Sequence, residues 1–306
     1  MGVPSKLSIS DVLTLVAAVI LNSLGPILMR QSRKLSDYNT ASIYCFVEVN
    51  KLAIALAISL TQHRKAFFGV SFCRLGLYGG TSFLYFLSNF LGLVSLSHVS
   101  ASTFQLILNT KIVFVAAFTV SLSKFSAVRF HQWLSTGIIV IATSQLTLLG
   151  KMSSTPGQEL TVDTGALLVL VVSASSALSN VYNQVLLQDN EGEPIMVQNA
   201  QLYLTGVIFN LLNWYGSIHV WRSYPHLIGE WNYLCTWQIG FLTLYGLVIS
   251  LVLKRFGAMA RTISGCISLV VTAVTDHVFF SEPISLIEGS TFILVIVATI
   301  LYTHKL

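Results

Sequence analysis

The sequence predicts an all-α integral membrane protein, with ten transmembrane helices in two inverted five-helix repeats. Three observations carry that expectation. Hydrophobic residues make up 54% of the chain and charged residues 9%, with a mean hydropathy of +0.74, whereas soluble domains carry about 25% charged residues. Ten windows are each long and apolar enough to cross a bilayer, which takes about 20 residues: 10–29, 41–61, 71–96, 100–121, 130–149, 164–186, 197–220, 235–254, 262–280 and 286–303. The longest loop-like stretch, Gly150 to Asp163, falls after the fifth window and divides the set evenly.

An odd number of spans in each half inverts the second half relative to the first, the arrangement that supports alternating access. The chain then reads as one membrane domain over 1–306, with halves at 10–149 and 164–303 joined by the loop 150–163. The first span follows a short lead and runs through Asn22, Gly25 and Pro26 without a cleavage site, so it is expected to act as its own signal-anchor. The second carries Glu48 and Lys51, and the third opens with Gly76-x-x-Gly79-Gly80. The fourth holds Lys111, and the sixth contains Ser173-x-Ser-Ser-Ala177. The small-residue runs of the third and sixth spans fit close helix packing. Phe256 to Ala260 connects the eighth and ninth spans, with Arg261 at the entrance of the ninth.

An even span count places both termini on one side. Their side holds Lys6, Arg64, Lys65, Arg74, Lys124, Arg129, Lys254, Arg255, Arg261 and Lys305, while the other holds Arg30, Arg33, Lys34, Lys151 and Arg222. The positive-inside rule then puts the termini in the cytosol. No G-x-x-x-x-G-K-[ST] sequence occurs, which argues against an ATP-driven pump. No set of His, Cys, Asp and Glu has metal-ligand spacing and no nucleophile motif stands out, so neither an enzyme nor a cofactor is expected. Cys45, Cys73, Cys235 and Cys266 are scattered and read as small membrane-buried residues.

Charge inside a span is the informative exception. A cation near mid-bilayer costs about 3 kcal/mol on insertion scales. Lys111 lies too deep in its span to snorkel to an interface and is expected to face an anion. Arg261 offers a guanidinium that grips phosphate through parallel hydrogen bonds, and it pairs with Lys111 across the proposed repeat. Lys254 is a further candidate. Glu48 and Lys51 are three residues apart and meet on one helical face, as a structural pair or as a gate. Asn89, Gln105, Asn109, Tyr182, Asn183, Gln184, Gln198, Asn199, Gln201 and Tyr203 are uncharged polar groups in or beside spans. Most are expected to bond between helices, with a minority reading a base or sugar. Tyr85, Tyr182 and Tyr203 could stack a base. Asp276 and His277 could relay protons.

These residues resemble those of the nucleotide-sugar transporters, solute carrier family 35 subfamily A, within the drug/metabolite transporter superfamily. Val47-Glu48-Val49-Asn50-Lys51 and Tyr85-Phe-Leu-Ser-Asn89 look like motifs of the family's second and third spans. Asn109-Thr-Lys111-Ile112 resembles the region of the family's cavity lysine. Val181-Tyr182, Gln198-Asn199-Ala-Gln201-Leu-Tyr203, Val252-Leu-Lys254, Arg261-Thr-Ile-Ser264 and Glu282-Pro283 are similar to later elements. Leu108, Gln184-Val185, Gln198, Gly257-Ala258 and Arg261 depart from the pattern, as in a divergent member.

The resemblance implies a Golgi or endoplasmic reticulum antiporter with the drug/metabolite transporter fold. It would import a UDP-sugar or CMP-sialic acid type ligand and export a nucleoside monophosphate. The substrate-binding set is expected to be Lys111, Arg261, Lys254, Asn89, Tyr85, Asn109, Tyr182, Asn199, Gln201, Tyr203 and Ser264. Expected partners are these ligands, the bilayer and a second copy of the chain or glycosyltransferases, with no nucleic acid. Two other readings stay open: a carrier of another phosphorylated anion, proton-coupled through Asp276 and His277, or a non-transporting membrane scaffold.

Overall fold

A computed structural model of the chain describes residues 8–96, 104, 107–108, 110–122, 130–154, 164–190, 192–221, 227–280 and 286–303. Among these the chain is helical without strands. The ten helices are α1 (Ile9–Leu35), α2 (Thr40–Gln62), α3 (Arg64–Phe68), α4 (Phe72–Leu96), α5 (Lys111–Leu122), α6 (Phe130–Ser154), α7 (Thr164–Asp189), α8 (Ile195–Trp221), α9 (Tyr233–Phe280) and α10 (Leu286–Thr303). In a bilayer each backbone N–H and C=O must be satisfied within the protein, and helices do this within one segment. Five of them are long and apolar enough to cross a membrane: α1, α2, α7, α8 and α9. Shorter apolar stretches occur at Lys111–Leu122, Phe130–Ala142 and Gly289–Tyr302. Large apolar side chains such as Ile20, Leu170, Ile208 and Ile293 are exposed on the surface, as lipid-facing positions require.

The chain forms two compact units, and each draws on both halves of the sequence. The α2–α8 unit contains Lys6–Phe86 and Asn183–Gly257, and the α6–α10 unit contains Leu87–Tyr182 and Ala258–Leu306.

In the α2–α8 unit, α1 starts with a reciprocal cap: the Asp11 amide donates to Ser8, and the Asp11 carboxylate accepts from the Ser8 backbone. Helix α2 is capped by Asn39, whose side-chain oxygen accepts from the Ala41 amide at 2.9 Å while its nitrogen donates to Ser217 Oγ at 2.9 Å. Asn232 ties the start of α9 to the end of α1, donating to Ser32 O and Ser36 Oγ, both at 2.8 Å. One apolar cluster joins Tyr38, Ile43, Val47, Cys235 and Ile239, and another joins Ala18, Ile249 and Val252. In the α6–α10 unit, Ile112, Ile139, Ile263 and Ala298 form the core. The Ser135 hydroxyl donates to Ala298 O at 2.5 Å, fixing α10 on α6.

The break expected between the eighth and ninth spans falls within α9, where two helices meet in a kink at Gly257 with φ 86° and ψ 178°, a conformation open to glycine alone at little cost. The structure changes three other expectations. A short helix, α3, occupies a stretch read as loop. Close packing was expected at Gly76, yet a Cβ there would meet nothing within 4 Å. Gly206 and Gly246 are tight, since a Cβ would come within 3.0 Å of Glu48 at the first and 2.5 Å of Lys51 at the second. Cys45 and Cys235 are buried as expected, whereas Cys73 is exposed, one residue into α4 where the helix has not yet entered the packed bundle.

Candidate functional site

In the α6–α10 unit the two cations singled out from the sequence come together on one face of α7. Lys111 Nζ donates to Ser176 Oγ at 2.6 Å. The Arg261 guanidinium donates to Asn180 Oδ1. Ser176 and Asn180 are four residues apart, so their side chains lie on adjacent turns about 6 Å apart along the axis. The two charges are close enough to act on each other electrostatically. No carboxylate among the described residues forms an ion pair with Lys111.

Backbone geometry adds positive potential at both positions. Lys111 is the first residue of α5, and the preceding Thr110 lies in a turn with its N–H and hydroxyl both bonded to Ile107 O. Arg261 lies in the first turn beyond the interruption at Gly257. A helix start carries roughly half a positive charge, so a cation there is unfavourable alone and favours an anion beside it. Ser173 supports the arrangement, donating to Leu108 O at 3.3 Å and lying 3.1 Å from Thr110 Oγ1. Small side chains on this face of α7 let the cation-bearing segments approach.

The other candidates of this unit are distributed more loosely. Tyr182 is half-buried and Asn89 is exposed. The Ser264 hydroxyl donates to Ala260 O at 2.9 Å within its own helix. Gln105 and Asn109 lie outside the described residues, as does the side chain of Asp276; His277 is exposed.

The α2–α8 unit holds a second polar centre. Glu48 and Lys51 form the expected i,i+3 pair at 2.5 Å, and Lys51 Nζ sits 4.6 Å from the centroid of the Tyr203 ring. Tyr203 donates from its hydroxyl to Gly246 O at 3.3 Å and lies 3.1 Å from Ser250 Oγ. Gly206 and Gly246 provide the slot for the two charged side chains. Mutual neutralisation and the aromatic face reduce the cost of burying them.

Asn199 differs from its neighbours. It is 0% exposed, and neither its amide nitrogen nor its amide oxygen has a hydrogen-bond partner. Gln201 is also buried; its nitrogen donates to Val197 O at 3.3 Å while its oxygen is unpartnered. Buried unpaired amide groups cost about 1–3 kcal/mol each, and an exception of this kind needs a reason. Tyr85 is half-buried in the same unit. Lys254 donates to Glu193 O and to Gln198 Oε1, both at 2.9 Å. A backbone acceptor in a turn has no sequence signature, so this contact was not legible beforehand. Among the described residues no three His, Cys, Asp or Glu side chains gather as metal ligands.

Apolar helices with buried charged and amide side chains among them define an integral membrane protein built around polar sites. The nucleotide-sugar transporter family description matches residues 7–303, and the chain belongs to that family. It is 30% identical to the UDP-N-acetylglucosamine transporter of Homo sapiens, over 72% of this chain and 68% of that protein. The UDP-galactose transporter senju of Drosophila melanogaster is 24% identical over 99% of this chain and 87% of its own length. CMP-sialic acid transporter 1 of Oryza sativa subsp. japonica is 27% identical over 67% of this chain, with the match spanning 65% of that relative. A crystal structure superposes with a TM-score of 0.73 over 95% of both chains at 14% identity, which shows the fold alone. The relatives are transporters, not enzymes.

Proposed function

We propose that the chain is an antiporter, exchanging a cytosolic UDP-sugar or CMP-sialic acid type ligand for lumenal nucleoside monophosphate across the Golgi membrane. The observation that carries this reading is the placement of Lys111 and Arg261 on adjacent turns of α7. Phosphate is common to both exchanged ligands, and two neighbouring cations at helix starts suit it. Each ligand binds through the same charged group, so exchange needs no separate energy source.

The reading takes α9 as two spans joined at Gly257 and leaves α3 outside the membrane, which gives ten spans in two inverted halves. Both termini then face the cytosol by the positive-inside rule. Asn199 and Gln201 offer buried amide groups with unused bonding capacity. A base or sugar hydroxyl would satisfy them, and rejection of ligands lacking the matching group follows from leaving them unpaired. Tyr85, Asn89, Asn109, Tyr182 and Ser264 are proposed to line the ligand's path. Glu48, Lys51 and Tyr203 are proposed to hold the helices around it.

Purified protein in liposomes preloaded with single nucleoside monophosphates is expected to take up one matching labelled nucleotide sugar. Lys111→Ala should abolish exchange while the protein still elutes as a folded species. Undiminished exchange by Lys111→Ala would exclude the proposed site, and a pH-gradient requirement without nucleotide exchange would favour another phosphorylated anion.

A further inference from the structure

We propose that Asn180 is a positioning residue that holds the Arg261 guanidinium by a neutral oxygen, keeping the charge of the Lys111–Arg261 pair for an anion. This deepens the transport reading and rests on it for the identity of that anion.

Asparagine is a poor helix former, yet Asn180 lies well inside the 26-residue α7 and is 1% exposed. A guanidinium has N–H donors and no acceptor, so the Asn180 atom turned to Arg261 Nη1 is the carbonyl oxygen Oδ1. Buried to this degree, Asn180 serves the guanidinium rather than a ligand, whereas Arg261 and Lys111 are only half-buried. One turn earlier, Ser176 does the same for Lys111, its hydroxyl oxygen accepting from Nζ at 2.6 Å. All four residues belong to the α6–α10 unit.

Both acceptors are uncharged, and that is the informative choice. A carboxylate bonds a guanidinium or ammonium about twice as strongly as a neutral oxygen does. Inside a membrane, pairing with a carboxylate is also a common way to accommodate a cation. Aspartate has nearly the shape of asparagine, so α7 could carry one at position 180 with little change of volume. Yet no Asp or Glu occurs from Thr164 to Gln188. An amide oxygen supplies a hydrogen bond without neutralisation. The guanidinium is oriented, while its repulsion with Lys111 is left for an arriving anion to relieve. The empty site is less stable for it, and the occupied site gains correspondingly.

The test compares Asn180→Asp and Asn180→Ala with the parent, as full-length protein in nanodiscs. Thermal unfolding without ligand reads the empty state; binding of UMP, CMP and inorganic pyrophosphate reads the site. Asn180→Asp keeps an oxygen against Arg261 and adds an opposing charge, so its Tm should equal or exceed the parent's. Its affinity for nucleotide should fall by about 100-fold, the effect of one unit charge some 6 Å away at an effective dielectric of about 20. Asn180→Ala removes the bond, and should lower both the Tm and the affinity, the latter by about tenfold, as for one hydrogen bond to a charged group.

Opposite rankings are the signature: Asn180→Asp above Asn180→Ala in stability, and below it in affinity. A residue that only packed or oriented would rank the two alike in both measurements, because an aspartate oxygen also orients the guanidinium. Nucleotide binding by Asn180→Asp as tight as the parent's would therefore overturn the proposal. If Asn180→Asp does not fold, Ser176→Asp puts the same question beside Lys111, with the same two outcomes. If the parent binds pyrophosphate but neither nucleotide, the transport reading fails, and the variants' pyrophosphate affinities still decide the role of Asn180. A parent that binds none of the three overturns both.

Discussion

Replacing Gly246 by alanine tests the Glu48–Lys51 centre through a single methyl group. The new Cβ would lie 2.5 Å from Lys51 Cδ and 3.3 Å from both Cε and Nζ. Carbon atoms pack at about 3.5–4.0 Å, so Lys51 or α9 must retreat by about 1 Å. Lys51 cannot swing away freely, because its ammonium is 2.5 Å from Glu48 and lies over Tyr203. Overpacking of this kind costs about 1–3 kcal/mol, against a gain of about 0.5–1 kcal/mol for replacing glycine inside a helix. Gly76→Ala is the matched control, since a Cβ there meets nothing within 4 Å. The control should be neutral or stabilising, and Gly246→Ala should fall below it by about 1–3 kcal/mol. At roughly 2–4 °C per kcal/mol, the two Tm values should differ by about 2–12 °C. Thermal unfolding followed by size-exclusion chromatography reads this difference. Equal Tm values for the two variants would refute the glycine slot.

Other expectations follow from the same geometry. Asn199→Leu removes two buried unpaired polar atoms, so it should raise the Tm of the ligand-free protein, by roughly 1–3 kcal/mol of stability, while abolishing nucleotide-sugar uptake; a lower Tm with intact uptake would contradict both parts. Gly257→Ala forces an L-residue to φ 86°, at a cost of about 1–3 kcal/mol, and should slow exchange in liposomes by more than it weakens nucleotide binding measured at equilibrium.

How much was legible beforehand depended on the kind of signal. Apolar windows located the long helices because burial in lipid demands an unbroken run. Lys111 and Arg261 stood out because charge in such a run is costly, and the structure brings both onto α7. Glu48 and Lys51 were paired by helical spacing alone. The break between the eighth and ninth spans was legible from the charged run Lys254, Arg255 and Arg261, but its shortness was not: Gly257 alone makes the kink, and Ala258 to Ala260 are helical. The partners of Lys254 were hidden because a carbonyl oxygen in a turn is the same in every sequence. Gly206 and Gly246 were missed for a related reason. A glycine's importance lies in what approaches it, and here that is a side chain about 155 to 195 positions away in sequence.

The division into units has a bearing on how the protein is made. Helix α6 is synthesised long before α10, yet Ser135 is bonded to Ala298 O, and Ile139 packs in a cluster containing Ala298 and Ile263. At about 5–20 residues per second, α6 waits some 10–30 s for its partner. During that interval the inner face of α6 has no native neighbour from the second half of the chain. Until α10 arrives, Ser135 lacks its acceptor and Ile139 lacks one of its packing partners, so α10 supplies a cover that α6 cannot find earlier in the chain.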